Sequence, residues 1–322
     1  MVLAVKAQGL KIGFLDMGDK PVWVVKGVSF DVNQGELYCL VGESGSGKTT
    51  IAKAVTGILP PHAITGGLLE IFGRKVIDGE KWDFSGVRGR LVTYIPQNPG
   101  TGLSPYFTVF DQFYMVLNSL YGLNRNKTRE IATKYLKLVG LDPAHILDEE
   151  MYPHELSGGM VQRAAIALAL ATGARLIVAD EPTSSLDANL RLQMLTLFIK
   201  LKRELSLSII LITHDLLGAS RVCDRIAVVY AGMILEEGPG PSVSTKPLHP
   251  YTTMLLDSAP VLGELKPLRS VSGEPPPAGL ETEECVYKNR CDVAFNKCVK
   301  QPHLITLEDR KVACWRYSRN DE

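Results

Sequence analysis

The sequence predicts an α/β fold with a parallel central sheet, and three patterns carry that prediction. Residues 36–41 form an apolar run that leads directly into the glycine-rich segment 42–49, after which a helical pattern continues as far as Gly57. Residues 176–179 and 208–213 are two more apolar runs without alternation. Runs of this kind are typical of parallel strands that are covered on both faces. We therefore place a strand, a glycine loop and a helix, in succession, at the centre of the fold.

Further strands are predicted on either side of this centre. Residues 22–32 are rich in β-forming residues and end before Gly35. Residues 225–230 and 233–237 flank a single Ala-Gly pair. That spacing predicts a hairpin with a two-residue turn.

The segment from about residue 100 to residue 172 is predicted to form a helical subdomain. Thr108 is expected to cap a helix that runs to about Tyr121. Asn126 is expected to cap a second helix, which ends before Gly140.

The composition changes beyond residue 238. Gly-Pro-Gly-Pro at 238–241 and Gly-Glu-Pro-Pro-Pro at 273–277 predict a stiff linker that cannot be helical. We therefore expect a main domain over residues 1–240 and a small C-terminal tail over residues 241–322.

The overall composition is that of a globular protein without electrostatic bias. The chain has 322 residues, of which 45% are hydrophobic and 22% charged, and its 35 basic and 35 acidic residues balance. This balance argues against nucleic acid as a partner. The N-terminus lacks the pattern of a signal peptide, and no apolar run approaches the roughly 18 residues of a membrane span. We expect a cytosolic protein that reaches a membrane only through partners.

The segment Gly-Glu-Ser-Gly-Ser-Gly-Lys-Thr at 42–49, hereafter the phosphate loop, matches the nucleotide-binding pattern at every specified position. Its glycines let the backbone turn tightly and point N–H groups at phosphate oxygens. Lys48 supplies positive charge to the β- and γ-phosphates, and Thr49 offers a hydroxyl to Mg²⁺. A plain glycine turn before a helix is the alternative, and the full match between a strand and a helix argues against it. The expected nucleotide-binding residues here are Gly42, Ser44, Gly45, Ser46, Gly47, Lys48, Thr49 and Thr50.

Asp180 and Glu181 follow the apolar run 176–179 and are candidates for chemistry on the nucleotide. A carboxylate at the end of a parallel strand can bind Mg²⁺ directly or through water, so Asp180 is a candidate magnesium ligand. A single acid at this position is often part of a polar turn. Two adjacent acids after a phosphate loop are uncommon in that role.

Five motifs in a fixed order give the chain a resemblance to a known family. They are the phosphate loop, Gln97, Leu-Ser-Gly-Gly-Met-Val-Gln-Arg at 156–163, Leu-Ile-Val-Ala-Asp-Glu at 176–181, and His214. In this order they resemble the ATPase subunit of an ABC transporter, and the resemblance covers nearly the whole chain. It implies a P-loop NTPase domain of the ABC type with a helical subdomain, followed by the small cysteine-bearing tail, and it implies ATP and Mg²⁺ as ligands.

The resemblance also implies individual roles. Glu181 resembles the general base for the attacking water, a role that contributes roughly 10²–10⁴-fold. Gln97 resembles the glutamine that contacts Mg²⁺ and this water, and His214 the histidine that contacts the γ-phosphate. Phe14 is the candidate for the aromatic that stacks on adenine, and Trp23 is its rival. The implied magnesium ligands are Thr49, Gln97 and Asp180.

A second set of residues implies that two subunits act together. The segment formed by Ser157, Gly158 and Gly159 opens an Ala-rich helix, whose free N–H groups favour an anion. The helical subdomain separates it from the chain's own phosphate loop. In the family that the chain resembles, this segment completes the ATP site of a partner subunit, and residues 184–187, which include Asp187, resemble the loop that crosses between the two sites.

Four of the six cysteines lie in the tail, at Cys285, Cys291, Cys298 and Cys314, separated by five, six and fifteen residues. Disulfides are a poor explanation in a cytosolic protein. Structural zinc sites favour close pairs separated by two to four residues, whereas four thiolates at longer spacings fit an iron–sulfur cluster. Spacing alone leaves zinc open. Cys39 and Cys223 lie in apolar or helical surroundings and are expected to be small buried hydrophobic residues.

The tail resembles that of dipeptide and oligopeptide importer ATPases. The similar segments are Pro-Leu-His-Pro-Tyr-Thr at 247–252, Ser-Gly-Glu-Pro-Pro at 272–276, and Arg290 with Cys291. This resemblance implies a [4Fe–4S] cluster on the four tail cysteines. Trp315 follows the last of them, where the family often has a histidine.

The same resemblance implies partners and a location. The partners are a second ABC ATPase subunit, two transmembrane permease subunits and an extracytoplasmic solute-binding protein, and the location is the cytoplasmic face of the cell membrane. The expected work is ATP hydrolysis that drives uptake of di- or oligopeptides. Importers of oligosaccharides, nickel or other small solutes are an alternative. A soluble ABC ATPase that acts on nucleic acid or ribosomes is a second one, although such proteins usually carry long insertions or two cassettes.

Overall fold

Two β-sheets organise the chain in this computed structural model, which describes residues 3–98, 102–184, 187–258 and 273–318. The smaller sheet has the strand order β2-β1-β4-β5-β6, and the larger has the order β12-β13-β11-β10-β3-β9-β8-β7. The strands are β1 (Leu3–Leu15), β2 (Pro21–Asn33), β3 (Leu37–Val41), β4 (Ala63–Ile71), β5 (Arg74–Asp78), β6 (Lys81–Trp82), β7 (Val92–Ile95), β8 (Leu176–Asp180), β9 (Ser208–Thr213), β10 (Arg225–Tyr230), β11 (Met233–Pro239), β12 (Ile305–Leu307) and β13 (Arg310–Val312). The α-helices are α1 (Lys48–Thr56), α2 (Val109–Tyr121), α3 (Arg125–Leu138), α4 (Gly158–Ala171), α5 (Ala188–Leu205), α6 (Leu216–Val222), α7 (Gly240–Thr245) and α8 (Pro250–Asp257). Among the residues described, no helix is both long and apolar enough to cross a membrane.

The parallel strands predicted for the core are confirmed. Strand β3 pairs in parallel with β9 on one side and with β10 on the other, and β8 pairs in parallel with β9 and β7. Every residue of β3, β8 and β9 is buried, because sheet neighbours and layers on both faces cover them. The hairpin between β10 and β11 is also confirmed, with Tyr230 opposite Met233 across the two-residue turn.

The helical subdomain agrees with the prediction at its first helix and differs at its second. Thr108 caps α2, its hydroxyl accepting the Asp111 N–H, and Gly122 ends the helix. The predicted cap of α3 was wrong: Asn124 holds that position, and its side chain accepts the Lys127 N–H at 2.9 Å. Asn126 lies inside the first turn instead. Two asparagines two residues apart offer the same signal, and only the backbone conformation at Asn124 suits a cap.

The prediction of a non-helical linker at 238–241 was also wrong. Strand β11 continues to Pro239, and helix α7 begins at Gly240 with a proline in its first turn. Proline is tolerated there because N–H groups of the first turn have no partner within the helix. Residues 273–277 are not helical, as predicted, while Ser272, the first residue of the similar segment 272–276, lies outside the described residues.

The tail is attached to the larger sheet as an addition to its edge. Strand β13 pairs antiparallel with β11, and β12 pairs with β13. Arg310 of β13 forms an ion pair with the fully buried Glu236 of β11, and Lys311 forms one with Glu237 at 2.9 Å. Tyr287 is buried in the core of the main domain. The cysteine-bearing part of the chain is therefore held against the nucleotide-binding part.

The two remaining cysteines are buried as expected, but they are also bonded to each other. Cys39 of β3 and Cys223, which follows α6, form a disulfide with their Cα atoms 6.0 Å apart. They are 184 positions apart in the sequence, so no local sequence pattern predicts that they lie close together.

Candidate active site

The phosphate loop connects β3 to α1 at the carboxyl edge of the parallel strands, where ligands bind in open α/β sheets. Gly47, the residue before α1, has φ 103°, in the left-handed region that favours glycine. At Gly42 a β-carbon would lie 2.1 Å from the carbonyl oxygen of Val229, so no other residue fits. The exposed residues of the loop are Ser44, Gly45 and Thr49, and Thr50 of α1 is half-buried.

Lys48 is buried inside the loop. Its Nζ donates hydrogen bonds to the carbonyl oxygens of Gly42 at 2.8 Å and Glu43 at 2.7 Å, and it lies 3.4 Å from the hydroxyl of Ser46. Burial lowers the pKa of Lys48, and the nearby carboxylates of Glu181, Asp180 and Glu43 oppose that shift. The ammonium group is thus held within the loop and close to both candidate catalytic acids.

Asp180 lies at the end of β8, and 2% of its surface is exposed. Its Oδ2 accepts a hydrogen bond from the hydroxyl of Tyr94 at 2.9 Å. Its Oδ1 is buried and has no hydrogen-bond partner among the described residues. A buried carboxylate oxygen without a partner is costly. A divalent cation would satisfy it, so the residues present fit Mg²⁺.

Three segments bring the predicted catalytic residues together at one carboxylate. The Oε2 of Glu181 accepts a hydrogen bond from the side-chain amide of Gln97 at 3.1 Å and lies 3.5 Å from Nδ1 of His214. These residues follow β7, β8 and β9, three adjacent strands of the larger sheet. Glu181 has φ 43°, a left-handed conformation that costs energy for a residue with a side chain, and its N–H donates to the Ile212 carbonyl at 2.9 Å.

The charge states of this group follow from the contact between Glu181 and His214. The hydrogen bond with His214 lowers the pKa of Glu181 despite partial burial, with the charge of His214 and of Lys48 acting in the same direction. The same hydrogen bond raises the pKa of His214. Glu181 is therefore ionised at neutral pH, as a general base must be.

Four of the other predicted nucleotide-binding residues form a separate surface. Ser157 caps α4, its hydroxyl accepting the Met160 N–H at 3.4 Å, and Gly158 and Gly159 form the first turn. Asp187 caps α5, its Oδ1 accepting two backbone N–H groups. These four residues line one depression, and none of its described lining residues belongs to the phosphate loop. Ser185 and Leu186 of the loop 184–187 lie outside the described residues.

Phe14 lies in β1, half-buried, with its ring 5.7 Å from that of His62 between centroids. Its rival Trp23 lies in β2 opposite Gly13, with the ammonium of Lys11 5.8 Å above its ring. The role of Phe14 stays a prediction.

The four tail cysteines line one cavity, hereafter the cysteine cavity, together with His249 and Trp315. The pKa of Cys285 is raised to about 11, chiefly by burial and to a smaller extent by the other three thiols, while a hydrogen bond with the backbone of Tyr287 opposes the shift. Within the described ranges, no three His, Cys, Asp or Glu side chains converge closely enough to hold a single metal ion. The cavity therefore gathers the thiols without directing them at one point.

Sequence reasoning did not foresee several residues of this site. Tyr94 holds Asp180, His62 faces Phe14, and Arg290 of the tail forms an ion pair with Glu43 of the phosphate loop. Tyr94 stands three positions before Gln97 on the strand beside β8, so its nearness to Asp180 follows once the strand order is known. The contact between Arg290 and Glu43 spans 247 positions and has no local signal.

The fold and the site together define an ATPase of the ABC class with a phosphate loop. Residues 25–184 match the family described as "ABC transporter", and residues 235–298 match "Oligopeptide/dipeptide transporter, C-terminal region". The dimeric ATP-binding cassette MJ0796, solved in a post-hydrolysis state with ADP and Pi, superposes with a TM-score of 0.63 at 27% identity, covering 73% of this chain and 98% of that one.

The comparison with relatives is more specific. The chain is 37% identical over 303 residues to the oligopeptide transport ATP-binding protein AppD of Bacillus subtilis, covering 92% of each. It is 36% identical to the oligopeptide transport ATP-binding protein OppD of Escherichia coli, covering 89% of this chain and 85% of that protein. The chain belongs to the family of oligopeptide and dipeptide ABC transporter ATP-binding proteins.

Proposed function

We propose that this chain hydrolyses ATP as the nucleotide-binding subunit of an importer for di- or oligopeptides. The observation that carries the proposal is the convergence of Gln97 and His214 on Glu181, with Lys48 near the same carboxylate. The names of its relatives, which are peptide transport ATP-binding proteins, support the choice of cargo.

The reaction is that of ATP with water to give ADP and phosphate. The backbone N–H groups of the phosphate loop and Lys48 bind the phosphates. Oε2 of Glu181 is engaged by Gln97 and His214, which directs Oε1 to take the proton of the attacking water. Mg²⁺, when bound by Thr49, Gln97 and Asp180, neutralises charge on the β- and γ-phosphates. His214 contacts the γ-phosphate, and Phe14 stacks on the adenine.

A complete site needs two subunits in this proposal. Ser157, Gly158, Gly159 and Asp187 lie on a surface apart from the phosphate loop, which supports their use on the nucleotide of a partner. The cassette MJ0796, which shares this fold, is described as dimeric. The remaining proposed partners are two transmembrane permease subunits and an extracytoplasmic solute-binding protein, and the permeases hold the ATPase at the cytoplasmic face of the membrane.

We further propose that the main domain spans residues 1–240, with its helical subdomain at about 100–172, and that the tail, residues 241–322, holds a [4Fe–4S] cluster. The four tail cysteines share one cavity, which supports this ligand set. A structural zinc would draw all four sulfurs to about 2.3 Å from one ion. In a cubane cluster each thiolate binds its own iron, so the sulfurs need not converge on one point.

Replacement Glu181→Gln tests the proposed base. The amide cannot accept the proton, so phosphate release should fall by roughly 10²–10⁴-fold while ATP binding remains. Glu149→Gln is the matched control, because Glu149 also contacts a histidine, His145, at 3.0 Å on an exposed surface. Turnover of the Glu181 variant within a few-fold of the control would refute the assignment.

A further inference from the structure

The segment that carries the tail cysteines is in direct contact with the phosphate loop. Arg290, the residue before Cys291, places its guanidinium against the carboxylate of Glu43 with two hydrogen bonds, Nη1 to Oε2 at 2.6 Å and Nη2 to Oε1 at 2.9 Å. The Arg290 side chain is 4% exposed and that of Glu43 23% exposed. Paired hydrogen bonds between charged groups are among the stronger and more directional ones in proteins.

A second contact from beyond residue 240 holds the same loop residue by its backbone. The hydroxyl of Tyr251, in α8, accepts the N–H of Glu43 at 2.9 Å. Tyr251 is fully buried and packs on Tyr230 and on Tyr287, with ring centroids 4.6 Å and 5.4 Å away. Because Tyr287 lies between Cys285 and Cys291, the aromatic group joins the cysteine cavity to the base of the loop.

A third contact of Glu43 lies within the phosphate loop itself. Its carbonyl oxygen accepts a hydrogen bond from Nζ of Lys48 at 2.7 Å. One residue thus bonds to the tail through its carboxylate and to the phosphate-binding lysine through its carbonyl. Two residues, Arg290 and Glu43, separate Cys291 from Lys48 along this path of direct contacts.

We propose that Arg290 is a positioning residue for the phosphate loop, and that through it the occupancy of the cysteine cavity sets the affinity of the loop for ATP. A loop held in its binding conformation loses less conformational freedom when the phosphates arrive, which strengthens binding. Loss of the cavity's occupant frees the chain around Cys291 and loosens Arg290. The second half of this proposal rests on the proposed metal cluster, and the first half does not. Coupling between two sites is reciprocal, so bound ATP also stabilises the occupied cavity.

Binding of ATP to the full-length chain with Arg290→Met tests the positioning role. The expected dissociation constant for Mg-ATP rises about tenfold, within the usual range of coupling between sites. The kcat of the assembled transporter stays within about threefold while KM rises, because neither Arg290 nor Glu43 touches the reacting atoms. Arg290→Lys keeps the charge but not the paired geometry, so its dissociation constant for Mg-ATP should lie between those of the wild-type chain and of Arg290→Met.

Two further variants keep the test decisive. Lys75→Met is the control, because Lys75 forms an exposed ion pair with Asp78 at 3.2 Å and neither residue lines the cysteine cavity. Glu43→Gln removes the charge from the other partner, so it reports on the contact even if Arg290→Met folds poorly. The chain with both Arg290→Met and Glu43→Gln should bind ATP no more weakly than the weaker of these two single variants, because both replacements remove the same contact. An unchanged dissociation constant in Arg290→Met or Glu43→Gln, or a fall in kcat at constant KM, would overturn the positioning role.

Removal of iron under anaerobic conditions tests the coupling, followed by absorbance and by the dissociation constant of Mg-ATP after the chelator has been removed. Iron loss should weaken binding by the wild-type chain by a factor similar to that of Arg290→Met, and should change little in the variant, where the link is already cut. Equal affinity of wild-type chain with and without iron would overturn the coupling. Chain that carries no iron as purified would overturn the cluster and the coupling together, and the Arg290 and Glu43 variants would still decide the positioning role.

Discussion

Two adjacent residues of β13 attach the tail to the larger sheet, and their surroundings predict how much stability each replacement costs. Arg310 pairs with Glu236, which has no exposed surface and also accepts the N–H groups of Leu248 at 3.0 Å and His249 at 2.8 Å. Breaking a buried ion pair by removing one partner costs about 3–5 kcal/mol. The two backbone N–H groups continue to stabilise the carboxylate, so we expect Arg310→Met to cost about 3 kcal/mol.

Lys311→Met is the comparison for this experiment. Lys311 is 33% exposed, and its partner Glu237 keeps the guanidinium of Arg225 and the hydroxyl of Tyr38 when the lysine is removed. We therefore expect a cost of about 1 kcal/mol or less.

The assay is denaturant unfolding of the full-length chain, with hydrogen exchange at β11 and β13 to show whether the tail opens before the rest. If the tail opens alone, the loss should appear as faster exchange in β13 at an unchanged global transition. Equal free energies of unfolding and equal exchange for the two variants would refute the reasoning, because they would show that a remaining positively charged partner for the carboxylate makes no difference.

Three further predictions concern the candidate sites. His214→Ala removes the hydrogen bond that lowers the pKa of Glu181, so that pKa should rise and the acid limb of the pH–rate profile should move to higher pH; an unmoved limb would disprove the contact. Ser157→Arg should leave ATP binding at Lys48 intact and stop hydrolysis in the partner's site, which mixing with a Lys48→Ala subunit can measure if the chain pairs with itself; equal activity of mixed and separate samples would contradict shared sites. Protein purified without oxygen should be brown with about four irons per chain, and Cys298→Ser should bleach it, whereas stoichiometric zinc in colourless protein would disprove the cluster.

Local patterns were sufficient to predict the centre of the fold. Burial on both faces requires a continuous apolar run, which predicted the strands β3, β8 and β9. Tight turning requires closely spaced glycines, which predicted the phosphate loop. The predicted cap of α3, Asn126, lies two positions after the actual cap, Asn124. Capping depends on backbone angles that the residue type does not reveal.

Contacts between distant parts of the chain could not be predicted in the same way. Two such contacts are the disulfide between Cys39 and Cys223 and the ion pair between Arg290 and Glu43. Both depend on how β3, α6 and the tail pack together, and no local sequence pattern predicts that packing. The meeting of Gln97, Glu181 and His214 was anticipated only through motif order. Strand adjacency in the larger sheet supplies its physical reason.

The short strands of the tail also determine how the larger sheet ends. Without β12 and β13, strand β11 would present its unpaired backbone groups to solvent, and an exposed strand edge is a template for pairing with another chain. The strands that take its place at the border are three residues long, too short to offer a partner many hydrogen bonds. The tail therefore leaves only short strands at this border of the sheet, which disfavours edge-to-edge pairing with another chain.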